Sequence, residues 1–126
     1  MNVNVYLIVI VLENNELYVL LKDNHLPTAY LKDFNSSFDA VEYITKESMN
    51  ITGKWLEVQT KIAGVLDEIN RKDSRGERLV SIVYHTCLPA KNSLNNPYRW
   101  VDLKTLESIK ITEEEKNIIQ YTSISI

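Results

Sequence analysis

One cysteine, three glycines, three prolines and two histidines in 126 residues leave little material for disulfide scaffolds, phosphate-cradling loops or zinc sites. Cys87 alone excludes an internal disulfide framework and suits a reducing compartment, so a cytoplasmic location is expected. Gly53, Gly64 and Gly76 lie too far apart for a Walker or dinucleotide-binding loop. His25 and His85 with one cysteine fall short of a zinc ligand set. No apolar run reaches the roughly 18 residues that span a bilayer, so no membrane partner is expected. The apolar opening, residues 3–12, has neither a basic lead nor a small-residue cleavage site, and reads as a buried strand rather than an export signal. Positive charge is not in excess either. Fourteen bases against seventeen acids give a net charge of -3, which argues against a nucleic-acid-binding domain. Repeats and low-complexity tracts are also missing. What is present, 44% apolar and 25% charged residues, is the composition of one globular domain of ordinary size.

Residues 5–12 form a β-branched run that is apolar on both alternating faces, the pattern of a strand covered on two sides. Glu13-Asn14-Asn15-Glu16 supplies turn chemistry, and Leu17-Tyr18-Val19-Leu20-Leu21 returns as a hairpin partner. Residues 22–37 have no period and read as a long loop, with a short strand near Tyr30-Leu31. Ser36 with Asp39 has the polar spacing of a capping box and opens a helix over about residues 38–51, with Gly53 as the expected C-cap. Phe38, Val41, Ile44 and Ser48 follow at helical spacing. Strands are then predicted at residues 56–62, at 65–69 after a break at Gly64, at 78–88 and at 98–101. A helical turn is expected at residues 102–106, and Thr112 with Glu115 caps a closing helix to about Gln120. Residues 124–126 read as a frayed tail or a fragment of something longer. Tyr6, Tyr18, Trp55 and Trp100 are most simply core or rim aromatics. Strands on both sides of a central helix, with a second helix at the end, predict an α+β domain: an α/β/α sandwich with a central mixed sheet and flanking helices.

Three places carry candidate chemistry. Glu47, Asn50 and Ile51 share one helix face, but only Glu47 is an anionic ligand, and magnesium asks for several hard oxygens. The ordinary reading of Glu47 is a solvated carboxylate on a helix flank. Three of the four arginines, Arg71, Arg75 and Arg78, cluster with Lys72 in one loop, and Gly76 there permits a close backbone approach. That loop is either a site for a phosphorylated or nucleotide-like ligand or a hairpin loop with exposed salt bridges, its acids Asp67, Glu68, Asp73 and Glu77 balancing the bases. The strand at residues 79–88 puts Val80, Ile82, Tyr84 and Leu88 on one face and Leu79, Ser81, Val83, His85 and Cys87 on the other. Ser81, His85 and Cys87 suit a polar pocket wall, but no partner in sequence makes a Cys-His nucleophile pair.

Four stretches carry a family resemblance. They are the opening strand pair ending Leu17-Tyr18-Val19-Leu20-Leu21; residues 37–53 with Lys46-Glu47 and Thr52-Gly53; Asp73-Ser74-Arg75-Gly76 followed by Val80-Ser81-Ile82-Val83-Tyr84; and Arg99-Trp100-Val101 before Leu103. Together they resemble the Nudix fold, and most of all the Nudix-like ligand-sensing domain of transcriptional regulators of NAD and sugar metabolism. The Nudix box, G-x5-E-x7-R-E-U-x-E-E-x-G-U, lies without gaps on residues 32–54. Its first glycine falls on Lys32, its first glutamate on Phe38, its Arg-Glu pair on Lys46-Glu47 and its later glutamate pair on Asn50-Ile51. The box is degenerate, and the metal-assisted attack on a diphosphate that it serves loses its carboxylates.

The resemblance implies a catalytically inactive, metabolite-binding regulatory module without a cofactor or bound metal. Its implied ligand is a nucleotide sugar such as ADP-ribose. Arg71 and Arg75 would be phosphate contacts, Lys72 an auxiliary charge, and Ser81 and His85 pocket-wall groups. The related regulators carry a winged-helix DNA-binding domain after this module. The chain is therefore expected either to be cut from a longer regulator or to have lost that domain, and to bind no nucleic acid by itself. A homodimer is a further expectation. Two alternatives stand beside this reading. One is a divergent hydrolase of nucleoside diphosphate compounds using magnesium or manganese, with Glu47, Glu42 and Asp67 or Glu68 as ligands. The other is a ligand-free scaffold that uses a sheet edge or the loop at residues 71–78.

Overall fold

The computed structural model describes residues 1–124, the side chains of Trp55 and Ile124 excepted. The readings of Trp55 as a core or rim aromatic and of 125–126 as a tail therefore lie outside the described side chains and residues, while Ile124 of that tail is helical. Strand β1 (Asn2–Glu13) organises the rest, because Leu7, Ile8, Val9, Ile10 and Val11 are at most 1% exposed. Such a run must be covered on both faces and paired on both edges. One edge pairs in parallel with β5 (Leu79–Leu88) along almost its whole length. The other edge is shared. Strand β2 (Glu16–Lys22) takes its C-terminal end and β3 (Thr28–Tyr30) its N-terminal end, both antiparallel. Adding β4 (Lys61–Leu66) and β6 (Tyr98–Asp102) gives the order β4-β5-β1-β2-β6, a mixed sheet as expected.

The two faces carry separate cores. Val5, Leu7, Val9 and Val11 pack with Ala40, Val41, Ile44 and Met49 of α1 (Ser37–Met49). Ile8 and Ile10 pack with Val19, Leu21, Leu106 and with Ile119 of α3 (Glu113–Ile124). The result is the α/β/α sandwich read from the sequence. Asn14 and Asn15 turn β1 into β2 with φ of 52° and 63°, a left-handed pair that asparagine tolerates.

The helix boundaries depart from expectation in an informative way. Ser36 does cap α1, accepting the Asp39 N–H at 3.1 Å. The helix ends earlier than predicted, at Asn50, whose left-handed φ of 58° lets its own N–H reach the Lys46 carbonyl. Gly53 is not that C-cap. At φ 116° it opens a second helix, α2 (Lys54–Gln59), where alternation predicts a strand. Leu56, 1% exposed, anchors α2, while Val58 is 68% exposed, so the alternation belongs to no buried face. Strand β4 runs through Gly64 instead of breaking there, with a bulge between Ile62 and Gly64. The helical turn is a 3-10 segment at Leu103–Ser108.

Glu115 at the start of α3 joins three elements. Its N–H donates to Thr112 Oγ1 at 3.1 Å, completing the expected cap. Its carboxylate also accepts the Leu26 N–H at 2.6 Å and lies 3.1 Å from His25 Nδ1. Removing it strands a buried amide and half a cap. Glu115→Ala is expected to cost about 2–3 kcal/mol in urea-induced unfolding, against under about 0.5 kcal/mol for exposed Glu113→Ala.

Candidate functional site

Glu47 sits on the last turn of α1, above the place where β2 ends and β6 begins. Lys22 and Tyr98 are directly paired in the β2–β6 register, which brings an ammonium and a phenol side by side beneath it. Oε1 of Glu47 accepts from Lys22 Nζ at 2.9 Å and from the Tyr98 hydroxyl at 2.7 Å. Oε2 accepts from the Tyr43 hydroxyl at 2.7 Å, one helical turn back. The Lys22 ammonium also lies 5.4 Å from the centre of the Tyr98 ring. Hydrogen bonds from Tyr43, Tyr98 and Lys22 favour the ionised carboxylate and lower its pKa from 4.5 to about 2. Both phenols respond oppositely. Burial and then the bond to Glu47 raise Tyr98, and the bond to Glu47 raises Tyr43.

Beside this cluster, between α1 and the short strand β3, opens a cleft of about 420 Å³. Lys22, Tyr30, Asp33, Phe34 and Tyr43 line it. Tyr30 and Tyr43 leave 44% and 50% of their surface exposed, unusual for rings with a core available to them. Phe34 and Tyr43 lie 5.4 Å apart in a tilted pair, and Lys32 Nζ stands 5.8 Å from the Tyr30 ring centre. On the other side of Tyr43 and Glu47 a second hollow of about 440 Å³ is bounded by Lys46, Asn50 and Asn95. Lys22, Tyr30, Phe34, Tyr43 and Tyr98 are not among the sequence candidates. Only Tyr43, four residues before Glu47, had a readable signal.

The arginine loop is built differently from expectation. All five N–H bonds of Arg71 are directed at partners inside the protein. Nε and Nη2 grip the Glu114 carboxylate at 2.9 and 2.7 Å. Nη1 donates to the carbonyls of Leu66 and Leu79 at 2.9 and 3.1 Å, and Nη2 also to Ser81 Oγ at 3.0 Å. Ser81 itself is fully buried and bonds to Asn4. Arg71 and Ser81, both expected at a ligand, thus form a clasp that ties α3 to the sheet. His85 lies on the same α3-facing side of β5, away from α1. Its neighbour across the β4–β5 ladder is Lys61, and burial and then Lys61 lower its pKa. Lys72 and Arg75 belong to a turn that Asp73 closes, its Oδ1 accepting the Arg75 and Glu77 amides at 2.9 and 3.0 Å. Asn2 bonds to Asp73 and fastens that turn to the start of β1.

The residues at the box positions do not fit a divalent cation. Both oxygens of Glu47 already receive strong donors, and the ammonium of Lys22 stands on its anionic side. Asn50 offers only a neutral amide, its backbone closing the helix, and Ile51 packs against the α1-side core. Asp67 and Glu68 follow β4, which β5 and β1 separate from β2. Among the described residues no group of three or more His, Cys, Asp or Glu is placed to hold a metal. Among them, too, no helix is long and apolar enough to cross a membrane.

No family model and no curated protein matches the chain. Solved structures do. The Nudix domain of Shewanella oneidensis NrtR, complexed with ADP-ribose, superimposes with a TM-score of 0.77 at 14% identity over 98% of this chain and 86% of that one. The C-terminal domain of mouse MUTYH, in complex with human PCNA, also gives 0.77, at 11% identity over 99% and 89%. A bifunctional NMN adenylyltransferase/ADP-ribose pyrophosphatase from Francisella tularensis gives 0.74 at 20% identity, over 95% of this chain and 40% of that one. The fold is the Nudix fold.

Two substitutions test the two clusters. Arg71→Lys replaces a planar five-donor fork by a point charge and leaves buried acceptors unmet, so unfolding free energy should fall by about 2–4 kcal/mol. Glu47→Gln should cost only about 1 kcal/mol at pH 7, because the pair is part-exposed and screened. The folded protein keeps Glu47 ionised where the unfolded chain has protonated it. The wild-type advantage is therefore full above about pH 5 and fades as pH falls toward 2, which denaturation across that window measures.

Proposed function

We propose that this domain binds a small anionic metabolite carrying an aromatic ring, a nucleotide sugar such as ADP-ribose, and does not hydrolyse it. The observation that carries the reading is the Glu47 cluster. The carboxylate at the box position is neutralised from within by Lys22 and two phenols, beside an open cleft walled by Tyr30, Phe34 and Tyr43. Exposed tyrosines offer faces for stacking a base, Lys22 lines the same cleft, and Lys32 stands at its rim against the Tyr30 ring. A cleft of this size, walled by aromatic rings together with Lys22 and Asp33, suits a nucleotide-sized ligand. Lys72 and Arg75 sit on the turn fastened to the start of β1, the end of that strand on which β3 places Tyr30. In this reading they are auxiliary contacts to a distal phosphate. ADP-ribose in the Shewanella oneidensis NrtR structure supports the ligand class, at the level of a shared fold.

The module is proposed to be cytoplasmic and regulatory, to act without metal, and to associate as a homodimer. A hydrolytic alternative would need replacement acids, and Asp67 and Glu68 follow β4, at the opposite edge of the sheet from β2 and β6, over which Glu47 sits.

Thermal unfolding with ADP-ribose, AMP, ribose 5-phosphate and inorganic pyrophosphate tests the reading. A ligand present at ten times its dissociation constant stabilises by about 1.4 kcal/mol, or about 5 °C in a domain of this size. ADP-ribose and AMP at 1 mM (about ten times a dissociation constant on the order of 0.1 mM) should produce that shift. Tyr43→Ala and Lys32→Ala should each reduce it by half or more. No shift with any compound would sink the binding reading. Turnover of nucleoside diphosphate compounds with magnesium or manganese, abolished by Glu47→Gln, would sink the inactive one.

A further inference from the structure

Strand β4 is an outer edge of the sheet, and it carries exposed apolar side chains along its length. Ile62 is 59% exposed, Val65 52% and Ile69, just beyond the strand, 80%. The β5 register places Ile62 opposite Tyr84 and Val65 opposite Ile82, so both point to the α1 side of the sheet, outboard of the part that α1 covers. On the other side a groove of about 360 Å³ runs between β4 and α3, lined by Ala63, Gly64, Leu66 and Ile118 among others. Edge strands are normally blunted by charge, proline or a covering element, and this one keeps apolar side chains on view along its middle.

Its charge is arranged end to end. Lys61, exposed, opens the strand, and Asp67 and Glu68, also exposed, follow its close. A second copy lying antiparallel sets each Lys61 beside the Asp67-Glu68 pair of the other copy, twice over. A parallel copy sets like charges together, which costs free energy. The bulge adds a geometric condition. In a regular strand, a two-fold axis between adjacent residues would oppose side chains from different faces. Here the bulge leaves Ala63 and Gly64 consecutive on the α3-facing side, since Ala63 packs in that core and Gly64 pairs with Val83. A two-fold axis between Ala63 and Gly64 therefore opposes residues of the same face. Ile62 meets Val65 of the other copy, and at the axis the two smallest side chains allow close approach. Gly64 has no atom within 4 Å of the place its Cβ would take.

We propose that β4 is the interface between two copies of this chain, paired antiparallel about a two-fold axis between Ala63 and Gly64. The inference rests on the homodimer reading and names its surface. It is independent of what the cleft binds.

Sedimentation velocity on the full chain between 10 and 200 μM tests it, with circular dichroism confirming that each variant folds. Wild type should sediment as a species of twice the 14.6 kDa chain mass. Lys61→Glu and Val65→Asp should each weaken association at least tenfold, and Lys61→Glu combined with Asp67→Lys should restore it to within about threefold of wild type. A monomer at 200 μM overturns both the homodimer reading and this surface. A dimer indifferent to Lys61→Glu and Val65→Asp overturns the surface alone. Loss in the single variants without recovery in the double charge exchange overturns the antiparallel arrangement.

Discussion

The molecule is built around a strand that water cannot reach. Five consecutive side chains of β1, Leu7 to Val11, are buried on alternating faces, and neither helix layer covers both. Each face needs its own cover, which fixes α1 on one side and α3 on the other. Each edge needs its own partner, which fixes β5 along one edge and divides the other between β2 and β3. That division has a functional consequence. Where β2 stops at Lys22 and β3 has yet to begin, the sheet edge opens, and the last turn of α1 lies above the opening. The cleft and the Glu47 cluster both occupy it. The site is a product of how one buried strand shares its edge.

Lys22 and Glu47 occupy that opening together, and their pairing sets what the opening can do. A divalent cation held by carboxylates exchanges with solvent, carries two charges and activates water. An ammonium on a four-carbon stem carries one charge, is covalently fixed and polarises no water for attack. With Lys22, the phenols of Tyr43 and Tyr98 take three of the carboxylate's roughly four lone-pair directions, so little acceptor capacity is left for an ion. The low pKa of Glu47 has the same origin, three donors converging on one anion. In the Arg71 cluster the signs are reversed. There one guanidinium is saturated by a carboxylate, two carbonyls and a hydroxyl, and it joins a helix to the sheet.

The sequence reveals the parts of this molecule that depend on local periodicity and hides those that depend on distant pairing. The two-sided apolar run of β1, the Asn14-Asn15 turn, the Ser36 and Thr112 caps and the alternating faces of β5 all follow from residues within one element, and all are present. The boundary at residues 50–60 misleads because two devices compete there. Asn50 closes α1 in the left-handed region, and Gly53, the stronger C-cap in isolation, is left to open α2. The partner of Arg71 is hidden for a different reason. Three nearby arginines look like a phosphate site, but Glu114, forty-three residues on, claims one of them. The cleft was illegible because Lys22 and Tyr98 come together only through the β2–β6 register.

Surviving outer form and altered interior chemistry are compatible because binding and cutting draw on different interactions. Holding a nucleotide in its ground state takes stacking surface and a few positive charges; Tyr30, Tyr43 and Lys22 line one cleft here, with Lys32 against the Tyr30 ring. Cutting a diphosphate takes interactions that strengthen as charge develops in the transition state, and those come mainly from metal ions and the acids that gather them. In this chain Asn50 and Ile51 are not acids, and the carboxylate of Glu47 is engaged by Lys22, Tyr43 and Tyr98. The fold imposes no penalty on the lack of acids there. Ile51 packs with the α1-side core and Asn50 caps the helix, so both replacements add to stability at positions where a functioning metal site must hold repelling carboxylates together. On the proposed reading, a domain that only recognises its ligand is free to take that gain.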